Sequence, residues 1–164
     1  MGKVVYKLGD DISTDIIYPG RYMATVLPTE TPQYAFADDH EFNGKLNNGE
    51  IAKGSFIVAN KNFGCGSSRE QAASCLKGWD VVIVAKHIAR IFLQNSINLG
   101  LQVLICPDIQ ADFGDELEVS DDKLKNLTSG KEFAIEPLSP ARQAIIDAGG
   151  LIEYTRARLT ADNR

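Results

Sequence analysis

The sequence predicts an α/β fold built on a partly parallel sheet, and two observations carry that prediction. Residues 55–60 (SFIVAN), 81–86 (VVIVAK) and 101–106 (LQVLIC) are short, continuous apolar runs rich in β-branched residues, the pattern of strands buried on both faces. Helix-length stretches, 67–77 and 88–97, separate them. Parallel neighbours require crossover connections of about that length, so strand, helix, strand, helix, strand reads as a parallel unit. Ligands of such sheets sit outside the carboxyl ends of the strands.

The remaining elements follow from local punctuation. Residues 4–8 form a short strand before the turn signal Gly9, Asp10, Asp11, and residues 12–18 are a loop or strand closed by Pro19 and Gly20. Residues 28–39 carry Pro28 and Pro32 ahead of Tyr34, Ala35, Phe36 and Ala37, which suits a short helix on a long loop. The helix over 67–77 opens on a capping-box pattern, Ser67, Ser68, Arg69, Glu70, and stops at Gly78. The helix over 88–97 places Ile88, Ile91 and Phe92 at helical spacing and ends before Gly100. Acidic residues thicken over 108–131, a solvated edge, and 116–119 and 132–135 read as edge strands of a smaller antiparallel element. Ser139 as cap, Pro140 at the first helical position and Gly149, Gly150 at the end punctuate another helix. A last helix covers 151–159, with Arg156, Arg158 and Arg164 solvated. The whole is one domain over 1–164 with a helical tail from about residue 139, since 164 residues build one core and are short for two.

Composition narrows the function. The 17 Lys and Arg against 22 Asp and Glu leave a net charge of −5, which argues against nucleic acid as a partner. The three cysteines, Cys65, Cys75 and Cys106, form neither a zinc spacing nor a disulfide framework, so no metal site is expected within this chain. Cys75, Cys106 and Trp79 read as packing residues, and His87 and Cys65 have local structural uses. No apolar run approaches the roughly 20 residues of a membrane span, and no secretion signal follows Met1. The expectation is a reduced, cytoplasmic protein.

The chemistry concentrates in the loop joining the first buried strand to the first long helix, NKNFGCGSSRE over residues 60–70. Gly64 and Gly66 allow unusual torsions and close ligand approach, and the amides of Ser67, Ser68 and Arg69 would face out of a helix N-terminus. The Arg69 guanidinium adds bidentate capture of a carboxylate or phosphate. Such a loop fits an ordinary glycine turn, a dinucleotide site or a carboxylate-binding catalytic loop in which a serine acts as base. The dinucleotide reading is weakened because Arg69 replaces the third glycine and the next strand ends in Lys86 rather than an acid. A Gly-x-Ser-x-Gly nucleophile elbow is absent.

The run NFGCGSSREQAA resembles the signature of the C-terminal, swivelling domain of the aconitase superfamily, in the stand-alone form of the isopropylmalate dehydratase small subunits. GDDISTD at 9–15, IARIF at 88–92, NSINLGL at 95–101 and AGGLIEY at 148–154 match in order, so the resemblance spans nearly the whole chain. It implies a three-layer β/β/α swivelling domain that removes and re-adds water on a 2-hydroxy dicarboxylic acid. It implies a [4Fe–4S] cluster held not by this chain but by a large-subunit partner. By alignment, Ser67 is the base, Ser68 and Gly66 contact substrate, Arg69 holds a carboxylate, and Asp15 lends a supporting hydrogen bond. The loop Arg21, Tyr22, Met23, Ala24, Thr25 aligns with the segment that selects the substrate. Homoaconitase-type subunits carry Arg where Ala24 stands, so Met23 and Ala24 favour an alkyl substituent, isopropylmalate first, with citramalate and 2,3-dimethylmalate as alternatives. Arg21 is either a solvated loop residue or, if the loop is offset, the missing cation. A non-catalytic anion-binding module is the rival of a different class.

Overall fold

The computed structural model describes residues 1–163; Arg164, assigned above to a solvated tail, lies outside the described residues. Seven strands form one ladder: β1 (Gly2–Lys7), β2 (Phe56–Ala59), β3 (Val82–Ala85), β4 (Val103–Ile105), β5 (Glu116–Ser120), β6 (Lys123–Asn126) and β7 (Glu132–Ala134), in the order β4-β3-β2-β1-β5-β6-β7. The β1, β2, β3 and β4 pairings are parallel, as the apolar runs predict, with Ile57 opposite Ile83 and Ala85 opposite Ile105. The β5, β6 and β7 pairings are antiparallel. The antiparallel element is not separate, because Gly2 and Lys3 pair with Leu117 and Glu116 and carry it into the same sheet. A further bridge between Ile105 and Glu136 brings the two ends of the ladder together, so the sheet curls on itself.

That curl explains the two cores. Side chains alternate across a strand. On β2, Phe56 and Val58 enter one apolar cluster with Val84, Cys106, Leu117, Leu124 and Phe133, between the facing parts of the sheet. Ile57 and Ala59 enter the other, with Ile83, Ala85, Ala72, Ala73, Leu76 and Phe92, under the helices. Strand, strand and helix layers result, the expected β/β/α arrangement. The helical layer contains α1 (Thr14–Ile17), α2 (His40–Asn47), α3 (Glu70–Lys77) and α4 (Arg90–Leu99). Beyond the sheet, α5 (Pro140–Asp147), capped by the Ser139 hydroxyl, and α6 (Leu151–Asp162) pack back on α4.

Several local expectations are corrected. Residues 12–18, expected as a loop or strand, hold a short helix, because the Ser13 hydroxyl accepts from the Ile16 amide and caps α1. The short helix expected within residues 28–39 is a single 3₁₀ turn over Thr31–Tyr34, and the sequence does not announce α2 or β6. The helix over 67–77 begins only at Glu70, and its capping box is not formed: Arg69 occupies the cap position without a side-chain bond. Arg69 has an extended backbone, φ −96° and ψ 107°, so the helix cannot include it or start earlier. The helix predicted from Ile88 likewise starts at Arg90, since Ile88 is engaged in a parallel bridge with Phe63.

Candidate active site

The site lies where the rule for parallel sheets places it, past the carboxyl ends of β1, β2 and β3. Beyond those ends the ladder persists as single bridges, Phe63 to Ile88 and Cys65 to Ser13. The Gly64 amide donates to Ile12 O at 2.7 Å and the Thr14 amide to Cys65 O at 2.8 Å. The glycine loop is thus clamped between the segments that follow the flanking strands, and the 9–15 run is brought to the 62–69 run.

Five residues identified by sequence, Asp15, Gly66, Ser67, Ser68 and Arg69, fall on this one face. Arg69 Nη1 donates to Asp15 Oδ1 at 2.5 Å and to Tyr18 O at 3.1 Å, and the Gly20 amide donates to the same Asp15 oxygen at 2.9 Å. The Arg69 side chain is 20% exposed and Asp15 65%, so the pair adds little stability and instead aims the guanidinium. Nη1 carries both contacts, and among the described residues no hydrogen bond engages Nη2 or Nε. Ser67 and Ser68 are exposed. Ser67 O accepts from Thr14 Oγ1 at 2.9 Å, and the hydroxyl oxygens of the two residues stand 3.5 Å apart. The three-amide anion site expected here is reduced, because the Arg69 amide donates to Ser67 O at 2.9 Å.

The loop following Pro19 reaches the same face. Gly20 lies against the guanidinium: a Cβ there would stand 3.3 Å from Arg69 Nη2. Gln71 Nε2, a residue not singled out from sequence, donates to Met23 O at 3.2 Å and ties the loop to α3. Met23 and Ala24 are exposed, while Tyr22 stacks on Tyr34 at 4.0 Å and Thr25 O accepts from the buried Tyr18 hydroxyl. Arg21 is not a free cation: it pairs with Asp38 at 2.5 Å and lies over the Tyr22 ring. A cavity of about 670 Å³ opens on the Cys65 and Gly66 turn between Arg90, Gln94, Asn95 and Arg142, but Ser67, Arg69 and Asp15 do not line it. The site is a face rather than a pocket.

The Arg69 guanidinium, and then the Gly20 amide, hold the Asp15 carboxyl below its ordinary value of 3.8. A carboxyl depressed in the folded state stabilises the fold above its unfolded value and loses that contribution only as pH falls through the lower folded value. Carbon-detected NMR of the Asp15 side chain should therefore show a titration midpoint below 3.8, and Arg69→Gln should move it upward.

The cysteines do not converge. Cys75 is buried under the helices, Cys106 lies in the core between the sheet layers with its thiol pushed by burial up to about 11, and Cys65 sits on the loop. Among the described residues no group of His, Cys, Asp and Glu side chains could hold a metal ion. The residues of this chain therefore do not fit a [4Fe–4S] cluster, which needs several converging thiolates.

A curled mixed sheet presenting a Gly-Ser-Arg loop at its carboxyl edge defines the class: residues 15–108 match the model of the aconitase C-terminal domain. The 3-isopropylmalate dehydratase small subunit of Methanosarcina acetivorans is 44% identical over 92% of this chain and 93% of its own length. That of Thermodesulfovibrio yellowstonii is 39% identical over 97% and 95%. Small subunit 1 of Archaeoglobus fulgidus is 42% identical over 96% and 97%. The crystal structure of 3-isopropylmalate dehydratase (LeuD) from Methanocaldococcus jannaschii superposes with a TM-score of 0.88 at 34% identity, covering 98% of this chain and 96% of that one. The chain belongs to the family of 3-isopropylmalate dehydratase small subunits.

Proposed function

We propose that the chain is the small subunit of a cytoplasmic hydro-lyase that interconverts 2-isopropylmalate and 3-isopropylmalate in leucine biosynthesis, together with a large subunit that carries a [4Fe–4S] cluster. The observation that carries this reading is the convergence of Arg69, steadied by Asp15, with Ser67 on the turn just before it. Relatives named as small subunits over nearly their whole length support it.

In this reading Arg69 binds a substrate carboxylate through its free N–H groups. Asp15 and Tyr18 O keep the guanidinium from swinging away. Gly66, with no side chain, lets substrate approach the backbone, and the Ser68 hydroxyl contributes a further hydrogen bond. Ser67 Oγ, as alkoxide, takes a proton from the substrate carbon; the C–H electron pair becomes the double bond as hydroxide leaves the neighbouring carbon, and the reverse addition places hydroxyl on the other carbon. The cluster, when present on the partner, supplies Lewis-acid chemistry for the departing hydroxyl.

Substrate choice follows from charge. With Ala24 apolar and Arg21 committed to Asp38, the loop offers no free cation for a third carboxylate, whose desolvation would go uncompensated. Met23 and Ala24 present apolar surface to an alkyl group instead. The open face also needs a cover, because exposed serines cannot keep bulk water from a reacting centre. Ile16 at 46% exposure, Val26 at 64% and Leu27 at 54% flank it and suit a protein partner better than water. The large subunit is the cover this reading requires.

The test is reconstitution. The chain is mixed with a cluster-loaded large subunit and offered isopropylmalate, citramalate, 2,3-dimethylmalate and homocitrate, and absorbance of the unsaturated intermediate is followed. Turnover of isopropylmalate above the others is expected, and neither subunit alone should be active. Preference for another acid would reassign the substrate, and silence with a competent partner would make the chain a binding module.

A further inference from the structure

Ser67 is a base with no base beside it. Among the described residues, the one hydrogen-bonding partner of Ser67 Oγ is the Thr14 hydroxyl, 3.5 Å away. That hydroxyl is placed with unusual care. Thr14 is 2% exposed, opens helix α1 behind the Ser13 cap, and donates its amide to Cys65 O at 2.8 Å. Its Oγ1 donates to Ser67 O at 2.9 Å, and a Cβ on Gly66 would come within 3.6 Å of it. One rigid, dry hydroxyl therefore faces both the carbonyl and the side-chain oxygen of the same serine.

We propose that Thr14 is a positioning residue for Ser67: its hydroxyl donates to the Ser67 carbonyl while Ser67 is protonated, and rotates to donate to Ser67 Oγ when Ser67 carries the alkoxide. The rotation is about the Cβ–Oγ1 bond alone. Thr14 keeps its proton throughout and no covalent bond breaks; a turn of the exposed Ser67 side chain about its Cα–Cβ bond closes the gap of 3.5 Å by about 0.8–1.0 Å, to the length of a hydroxyl bond to a charged oxygen. A hydrogen bond to the charged form favours that form, and burial keeps water from competing for the donor. This inference rests on the reading of Ser67 as base.

The experiment uses the reconstituted enzyme with 2-isopropylmalate. Thr14→Val keeps the shape and removes the hydroxyl; Thr14→Ser keeps the hydroxyl and removes the methyl. For Thr14→Val, kcat should fall roughly 10- to 100-fold with KM within about twofold, and the rising limb of the kcat profile should move about one to two pH units higher, the scale of one hydrogen bond to a charged group. Thr14→Ser should restore the limb. If Thr14→Val does not fold, Thr14→Ala set against Thr14→Ser isolates the hydroxyl in the same way. Loss of kcat with an unmoved limb, no loss at all, or failure of Thr14→Ser to rescue would overturn the proposal. Retained turnover in Ser67→Ala would instead overturn the base assignment beneath it, so the two failures are told apart.

Discussion

Ser67→Ala is expected to lower kcat on the order of 10²- to 10⁴-fold in the reconstituted enzyme, the range associated with removing a positioned general base. The substitution is structurally mild. Ser67 is exposed, and its side-chain oxygen has only the 3.5 Å contact with Thr14 to lose, whereas the 2.9 Å bond from Thr14 goes to the backbone carbonyl and survives. Arg69 keeps its bonds to Asp15 and Tyr18, so substrate carboxylate binding and KM should change little. A fall in kcat and kcat/KM by the same factor is the signature of a group used in the transition state. Gel filtration should show the variant assembling with the large subunit as the native chain does. Near-normal turnover in an assembled, cluster-loaded complex would remove Ser67 from the chemistry.

The parts of this molecule that were legible in sequence are those whose information is local. The runs at 55–60, 81–86 and 101–106 announce β2, β3 and β4 because strands buried on both faces have few polar residues to confuse the pattern. Gly100 ends α4 as expected because its φ of +75° suits glycine. Helix α2 went unseen because only Phe42 and Leu46 bury an apolar face and Gly44 interrupts it; its start depends on the Asp39 carboxylate accepting from the Phe42 amide. Strand β6 reads as a charged turn because Lys123 and Lys125 alternate with the buried Leu124 and Asn126.

The candidate site divides in the same way. Gly66, Ser67, Ser68 and Arg69 are neighbours in the chain and stand out together. Thr14 and Gln71 do not, because what distinguishes them is contact across 53 and 48 residues, and a lone threonine or glutamine carries no periodicity. Arg21 could be weighed from sequence but not placed, since the carboxylate that occupies it, Asp38, is 17 residues away. The helix start differs from the expected Ser67 because the capping residues stand in order in the sequence, yet Arg69 takes an extended backbone that delays α3 to Glu70.

Gly64→Ala should strongly destabilise this chain. Gly64 has φ +82°, and a Cβ there would lie 2.3 Å from Phe92 Cγ and 2.4 Å from Phe92 Cβ. The backbone conformation costs an L-residue about 1–2 kcal/mol, and forcing a methyl into a filled core costs about 1–3 kcal/mol more. Phe92 cannot give way, being 2% exposed and packed edge-on against Phe63 at 5.2 Å between ring centres. At roughly 2–4 °C per kcal/mol for a chain of this size, the melting temperature should fall by about 5–15 °C. Gly114→Ala is the matched control: φ is +88° and nothing lies within 4 Å, so only the backbone cost applies and a fall of a few degrees is expected. Phe92→Leu should not rescue Gly64→Ala, because the Phe92 Cβ contact remains when the ring is trimmed. The catalytic loss should exceed the loss of folded protein. To escape Phe92 the 63–66 turn must lift off α4, and Ser67 and Arg69 ride on its far end; a displacement near 1 Å at a reacting group costs up to about 10²-fold in rate. Differential scanning calorimetry of the three variants, with kcat per folded complex, measures both effects. Equal melting temperatures for Gly64→Ala and Gly114→Ala would mean that the close approach of Phe92 is not what makes glycine necessary there.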